Sequence, residues 1–169
     1  MANVNFFDFA EHILSTPASG DVGAMQHLAN AFREEYCEKL YSHAYDNFTT
    51  AKERYTADPE GNGSGEVHIQ ALQANLYIFL VFGDKCKCLK TLKELKEFTA
   101  EIVDELVMEN APVEVTFDDP ERNLTGEGAV IEVCAELKTI VEYAQKFVEL
   151  AFRLDMALKK FGKSFWKEE

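Results

Sequence analysis

Residues 21–57 read DVGAMQHLANAFREEYCEKLYSHAYDNFTTAKERYTA, and the apolar positions in this run decide the fold class. Met25, Leu28, Ala29, Phe32, Tyr36, Leu40, Ala44, Phe48, Ala51 and Tyr55 recur every three or four residues. That spacing stacks side chains along one face of an α-helix and does not fit the two-residue repeat of a strand. Asp21 suits an N-cap, because its carboxylate can accept from the free amides of the first turn. No proline or glycine interrupts after Gly23. The spacing therefore predicts one helix of about 35 residues, about 50 Å long at 1.5 Å per residue.

Downstream, Asp58-Pro59-Glu60-Gly61-Asn62-Gly63-Ser64-Gly65 reads as a loop. Val67, Ile69, Leu72, Leu76, Phe79 and Leu80 then resume helical spacing, and Tyr77–Phe82 is apolar throughout. A helix apolar all round is surrounded by protein. Gly83-Asp84 follows, either as a kink in a continuous helix or as a break with Asp84 capping a new one. Leu89, Leu92, Phe98, Ile102, Leu106 and Val107 continue to Asn110, and Pro112 closes the element. Val113, Val115 and Phe117 alternate with polar residues and are expected to form an extended linker; residues 118–128 read as loop. The stretch VIEVCAELKTIVEYAQKFVELAFRLDMAL, residues 130–158, carries a second clean helical stripe. Phe161 ends it, Gly162 suits the left-handed position past a helix end, and Lys159 and Lys160 favour the negative end of the macrodipole. Upstream, Phe6, Phe9 and Ile13, with Phe7, Ala10 and Leu14, predict a short helix over Asn5–Leu14, ended by Ser15-Thr16-Pro17. The expected fold is all-α: an elongated antiparallel bundle of three long helices plus a short N-terminal helix, in a single helical-bundle domain spanning residues 1–169.

Composition narrows the function. The chain has 169 residues, 47% of them apolar and 28% charged, enough to bury a core without disulfides or metals. Its net charge is −13, with no evident basic patch of the kind that displaces counterions from phosphate, so direct nucleic-acid binding is not expected. No apolar run approaches the ~20 residues that span a bilayer. There is no secretory leader, so the reading is cytoplasmic, with Cys37, Cys86, Cys88 and Cys134 as free thiols.

Three features carry functional candidates. Tyr41, Tyr45, Phe48 and Tyr55, with Cys37, form a second stripe beside the Phe32/Tyr36/Leu40 face. Either the short first helix covers this stripe or a partner does, tyrosine being enriched at interfaces for its apolar body and polar tip. Phe165 and Trp166 in the tail pose the same choice, and folding back onto the bundle is preferred for them. Lys85, Lys87, Lys90, Lys93 and Lys96 precede Glu94, Glu97, Glu101, Asp104, Glu105 and Glu109. A helix starting at Asp84 would then carry its charges against the macrodipole.

Cofactor signals are absent. Glu-X-X-His does not occur at His12, His27, His43 or His68, and Cys86-X-Cys88 is not a structural zinc spacing. Glu34-Glu35-Tyr36-Cys37-Glu38 with Glu101-Ile102-Val103-Asp104 resembles the EExxE…ExxD set of the all-α NTP pyrophosphohydrolases. The resemblance covers nine positions and implies Mg²⁺ held by Glu34, Glu35, Glu38, Glu101 and Asp104 over a triphosphate. The preferred expectation is a non-catalytic protein–protein interaction protein without cofactor. It would be an adaptor or inhibitor, possibly self-associating, acting through acidic and aromatic surfaces at Tyr41, Tyr45, Phe48, Phe165 and Trp166. The Mg²⁺-dependent pyrophosphohydrolase is the alternative, and an acidic nucleic-acid mimic ranks third.

Overall fold

The repeat in residues 22–57 does form one rod, but not at one uniform pitch. In the computed structural model, which describes residues 22–58, 63–108, 114–115 and 124–167, α1 (Val22–Ala31) passes without a break into a π-helical segment (Phe32–Cys37) and then α2 (Glu38–Ala57). The segment closes with the Glu38 N–H donating to the Arg33 carbonyl, five residues back. This closure admits one extra residue and turns the downstream face by about 100°. Buried positions accordingly run Met25, Leu28, Ala29, Phe32, then Cys37, Ala44 and Ala51. Cys37, expected on the second stripe, is a core residue, whereas Tyr36 and Leu40 are only half-buried.

The second long element is two helices. α3 (Gly63–Phe82) ends where Gly83 takes φ = +71°. The Asp84 N–H donates to the Phe79 carbonyl at 2.9 Å and the Gly83 N–H to the Leu80 carbonyl at 3.2 Å, satisfying carbonyls that the helix end leaves without partners. Asp84 then starts α4 (Lys85–Met108): its carboxylate accepts from the Lys87 amide at 3.1 Å, and its carbonyl takes the first helical bond, from Cys88, at 3.0 Å. The chain thus reverses within two residues, and the three expected rods become four.

α5 (Gly126–Lys159) runs for 34 residues. It ends as the sequence predicts: Gly162 has φ = +74°, the Lys163 N–H donates to the Leu158 carbonyl at 3.0 Å, and the Gly162 N–H to the Lys159 carbonyl at 3.1 Å. Two starts are earlier than expected, α3 at Gly63 and α5 at Gly126. The linker reading of residues 113–117 is also corrected, because β1 (Glu114–Val115) pairs antiparallel with β2 (Leu124–Thr125). The short helix expected at Asn5–Leu14, the Asp21 cap and most of the loops at 58–65 and 118–128 lie outside the described residues.

Contacts between ends give an up-down-up-down order. Arg54 late in α2 meets Glu66 early in α3 at 3.7 Å. Gly65 in α3 faces Ile102 in α4. Lys85 opening α4 sits 5.4 Å over the Phe152 ring in α5, and Phe32 stacks on Phe147 of α5 with ring centres 5.5 Å apart. The result is an all-α bundle in which Phe32, Leu76, Leu80, Leu95, Phe147 and Leu154 fill the centre. No helix among the described residues is long and apolar enough to cross a membrane.

The tail after α5 returns to the α3–α4 reversal. The Lys167 N–H donates to the Gly83 carbonyl at 2.8 Å, and a Cβ on Gly83 would stand 3.0 Å from the Phe165 carbonyl oxygen, whereas one on Gly162 meets nothing within 4 Å. Both glycines hold the same left-handed conformation, so alanine at either costs about 1–2 kcal/mol of backbone strain. Gly83→Ala is expected to cost about 1 kcal/mol more than Gly162→Ala, because the tail must also shift. Urea denaturation of the two variants checks this; equal losses would mean that the tail does not press on the reversal.

Candidate interaction surface

Burying Ala44 and Ala51 rather than large residues lets α2 lie close to α3, with Tyr45 and Tyr55 exposed and Tyr41 and Phe48 half-buried at the edge of the core. Tyr41, Tyr45 and Phe48 form a ladder there. The Tyr41 and Tyr45 ring centres are 5.9 Å apart, and those of Tyr45 and Phe48 are 6.2 Å apart. Tyr45 is 50% exposed, and Tyr55 is exposed further along. Beside the ladder, Tyr45, Phe48, Thr49, Lys52, Glu53 and Thr56 line an open groove of about 500 Å³. Lys52 lies 5.5 Å over the Phe48 ring, an exposed cation–π contact worth ~0.5–1 kcal/mol.

Phe165 and Trp166 do not belong to this surface. Phe165 is 0% exposed, between Phe32 (5.7 Å) and the Arg33 guanidinium (4.1 Å over the ring), and Trp166 packs on Phe152 at 5.2 Å. The expectation that the tail folds back holds, and these two residues are core. Asp155, 3% exposed, secures the tail. Its Oδ1 accepts from Ser164 Oγ at 2.7 Å and the Phe165 amide at 3.0 Å, while Oδ2 meets Lys159 Nζ at 3.1 Å. Arg33 adds a bond from Nη2 to the Phe165 carbonyl. Burial alone would raise the Asp155 pKa, but the bonds from Ser164, Lys159 and Phe165 outweigh it and hold the carboxyl below its ordinary 3.8. Nothing in the sequence spacing marks Asp155 as special.

The five carboxylates of the pyrophosphohydrolase resemblance are all exposed. Glu34, Glu35 and Glu38 lie in or next to the π-helical segment, which packs on α3, while Glu101 and Asp104 lie late on α4. Among the described residues no three His, Cys, Asp or Glu side chains come together as a metal-binding group. Cys86 is exposed and Cys88 buried, so this pair faces different surroundings. Burial pushes the Cys88 thiol up to about 12 and the Cys37 thiol well above the usual range, leaving both as protonated packing groups.

The fold also sorts charge in a way the linear order hides. The reversal at Gly83 puts the lysine-rich start of α4 beside the end of α5 and its tail, so Lys85, Lys87, Lys159, Lys160, Lys163 and Lys167 share one end of the bundle. Toward the opposite end Glu66, Glu132 and Glu136 come close to one another. There the carboxyl of Glu136 is raised by partial burial and by the charges of Glu132 and Glu66. The lysines at the start of α4 therefore do not sit mid-helix. The Asp84 cap, a Lys87–Asp84 ion pair at 3.8 Å and contacts of Lys85 and Lys87 with the rings of Phe152 and Phe79 partly offset their unfavourable place at the positive end of the helix dipole.

Asp155→Asn should lower stability at pH 7 by about 1–2 kcal/mol, since the charge-assisted bonds weaken while the amide oxygen still accepts. A depressed carboxyl stabilises fully above the unfolded-state value and loses that contribution as pH falls through the folded-state value. Urea midpoints of the wild-type protein should therefore fall below about pH 4 more steeply than those of the variant; parallel pH profiles would contradict the assignment. Native alkylation at pH 8 should label Cys86 and spare Cys37 and Cys88, as read by peptide mass spectrometry.

The chain matches no protein-family model, and comparisons with curated proteins and with solved structures likewise find no match.

Proposed function

We propose that this protein is a non-catalytic interaction module whose contact surface is the aromatic face of α2. The observation that carries this reading is the Tyr41–Tyr45–Phe48 ladder, held on a rigid helix with Tyr45 half exposed at its centre. Tyrosine and phenylalanine offer large contact area at small conformational-entropy cost, and clusters of this kind dominate binding energy at protein interfaces. The adjoining groove gives a partner side chain a place to seat. The partner is a protein, either a second copy or another chain. Nothing comparable supports the magnesium reading, whose carboxylates stand on separate, exposed helix faces. The nucleic-acid mimic is weakened by the lysines gathered at one end.

A photo-crosslinking residue at position 45 should give an intermolecular adduct in the native host, reduced at least severalfold by Phe48→Ser. The same probe at exposed Lys90 on α4 should not give that adduct. Failure to crosslink between chains from position 45, or an adduct running instead to residues 5–14 of the same chain, would overturn the proposal. Sedimentation at several concentrations then separates self-association from a different partner.

A further inference from the structure

The basic end of the bundle holds a second concavity. Gln26, Asn30, Arg33, Leu158, Lys163 and Ser164 line a polar cleft of about 290 Å³ where α1 and the π-helical segment meet the end of α5 and the tail. Both charged residues in its wall are cations, in a chain with 30 acidic and 17 basic residues. Neither Arg33 nor Lys163 forms an ion pair with a carboxylate among the described residues. Asp84 and Asp155 at this end are already engaged, Asp84 with Lys87 and Asp155 with Ser164, Phe165 and Lys159, while the exposed Glu34 acts on Arg33 through its charge without forming an ion pair with it among the described residues.

Arg33 is held in place from two sides. Its guanidinium lies 4.1 Å over the Phe165 ring and donates through Nη2 to the Phe165 carbonyl, and its Nε is buried with no hydrogen-bond partner. A guanidinium carries five N–H donors, and among the described residues this bond engages one of them. Burial disfavours its charge and lowers its pKa, against the opposing pull of Cys37 and Glu34, yet a guanidinium stays charged, so an incoming anion would meet a partly desolvated, preorganised cation. Lys163 supplies a flexible ammonium on the opposite wall, and the side-chain amides of Gln26 and Asn30 supply further donors. The lysines around the cleft extend the positive field over roughly a Debye length of 8–10 Å.

We propose that this cleft binds a phosphate monoester through Arg33 and Lys163. A set of donors converging from several sides suits a group with three strong acceptor oxygens better than a planar carboxylate. The volume, at the lower limit of small-molecule pockets, suits one such group rather than a nucleotide. The site is independent of the aromatic face of α2, which occupies the other half of the same rod.

The test is calorimetric titration of the full chain with inorganic phosphate and with a short phosphoserine peptide, at constant ionic strength near 150 mM. Lys163 is exposed, so Lys163→Glu should fold normally, as thermal melting in chloride buffer will verify. It should weaken binding of either probe at least tenfold. Lys163→Arg should retain binding, and Lys52→Glu, on the distant α2 groove, should leave it unchanged. A peptide that binds much more tightly than inorganic phosphate means that the group is presented on a protein; equal affinity means a free anion. Absence of saturable binding by both probes, or equal weakening by Lys52→Glu and Lys163→Glu, would overturn the proposal.

Discussion

The left-handed turn at Gly83 is the constraint on which the rest of this structure depends. An apolar helix that continued through residue 83 would project the lysine-rich segment beyond the bundle and leave three rods to cover Tyr77–Phe82. Reversal there, made by one residue at φ = +71° and by Asp84 capping the next helix, folds α4 back along α3. The four rods then enclose Leu76 and Leu80 completely. Glycine is needed twice over at this position. A side chain would strain the backbone, and it would also press on the Phe165 carbonyl, where the tail crosses the turn.

That crossing joins the two ends of the chain's described part. Phe165 enters between Phe32 and Arg33, near the start of the first rod, and Lys167 bonds to Gly83 midway along the sequence. Asp155 makes the arrangement specific. A buried carboxylate without partners would cost several kcal/mol, and here three donors from its own helix end and tail satisfy it. The tail is therefore held by polar bonds that define its geometry as well as by burial of two aromatic rings. The same geometry fixes Arg33 and brings Lys163 and Ser164 opposite α1.

Much of this was legible from residue spacing. The all-α class, the long first rod, the last helix with its Gly162 terminus and the return of Phe165 and Trp166 follow from apolar period and local cap chemistry, both written in consecutive residues. The face assignment along α2 was only partly legible. A helical wheel advances 100° per residue without exception, and the π-helical segment at Phe32–Cys37 adds a residue that moves Cys37 into the core. Tyr41, Tyr45 and Phe48 remain outside the innermost layer because Ala44 and Ala51 take the contact with α3. The pairing of Glu114–Val115 was missed because its partner, Leu124–Thr125, is too short to signal a strand by pattern.

The sequence by itself determined the all-α class and the course of the long helical stripes, since hydrophobic period acts over one or two turns, but it left the break at Gly83 open and set the starts of α3 and α5 too late. Only the tertiary structure decided which charges share an end. Lysines at positions 85–87 and 159–167 are distant along the chain, and their adjacency depends on the direction in which each rod returns. The Arg33 cleft likewise exists only because the tail closes over the first rod. Such juxtapositions arise from packing between elements, which no local spacing of residues encodes.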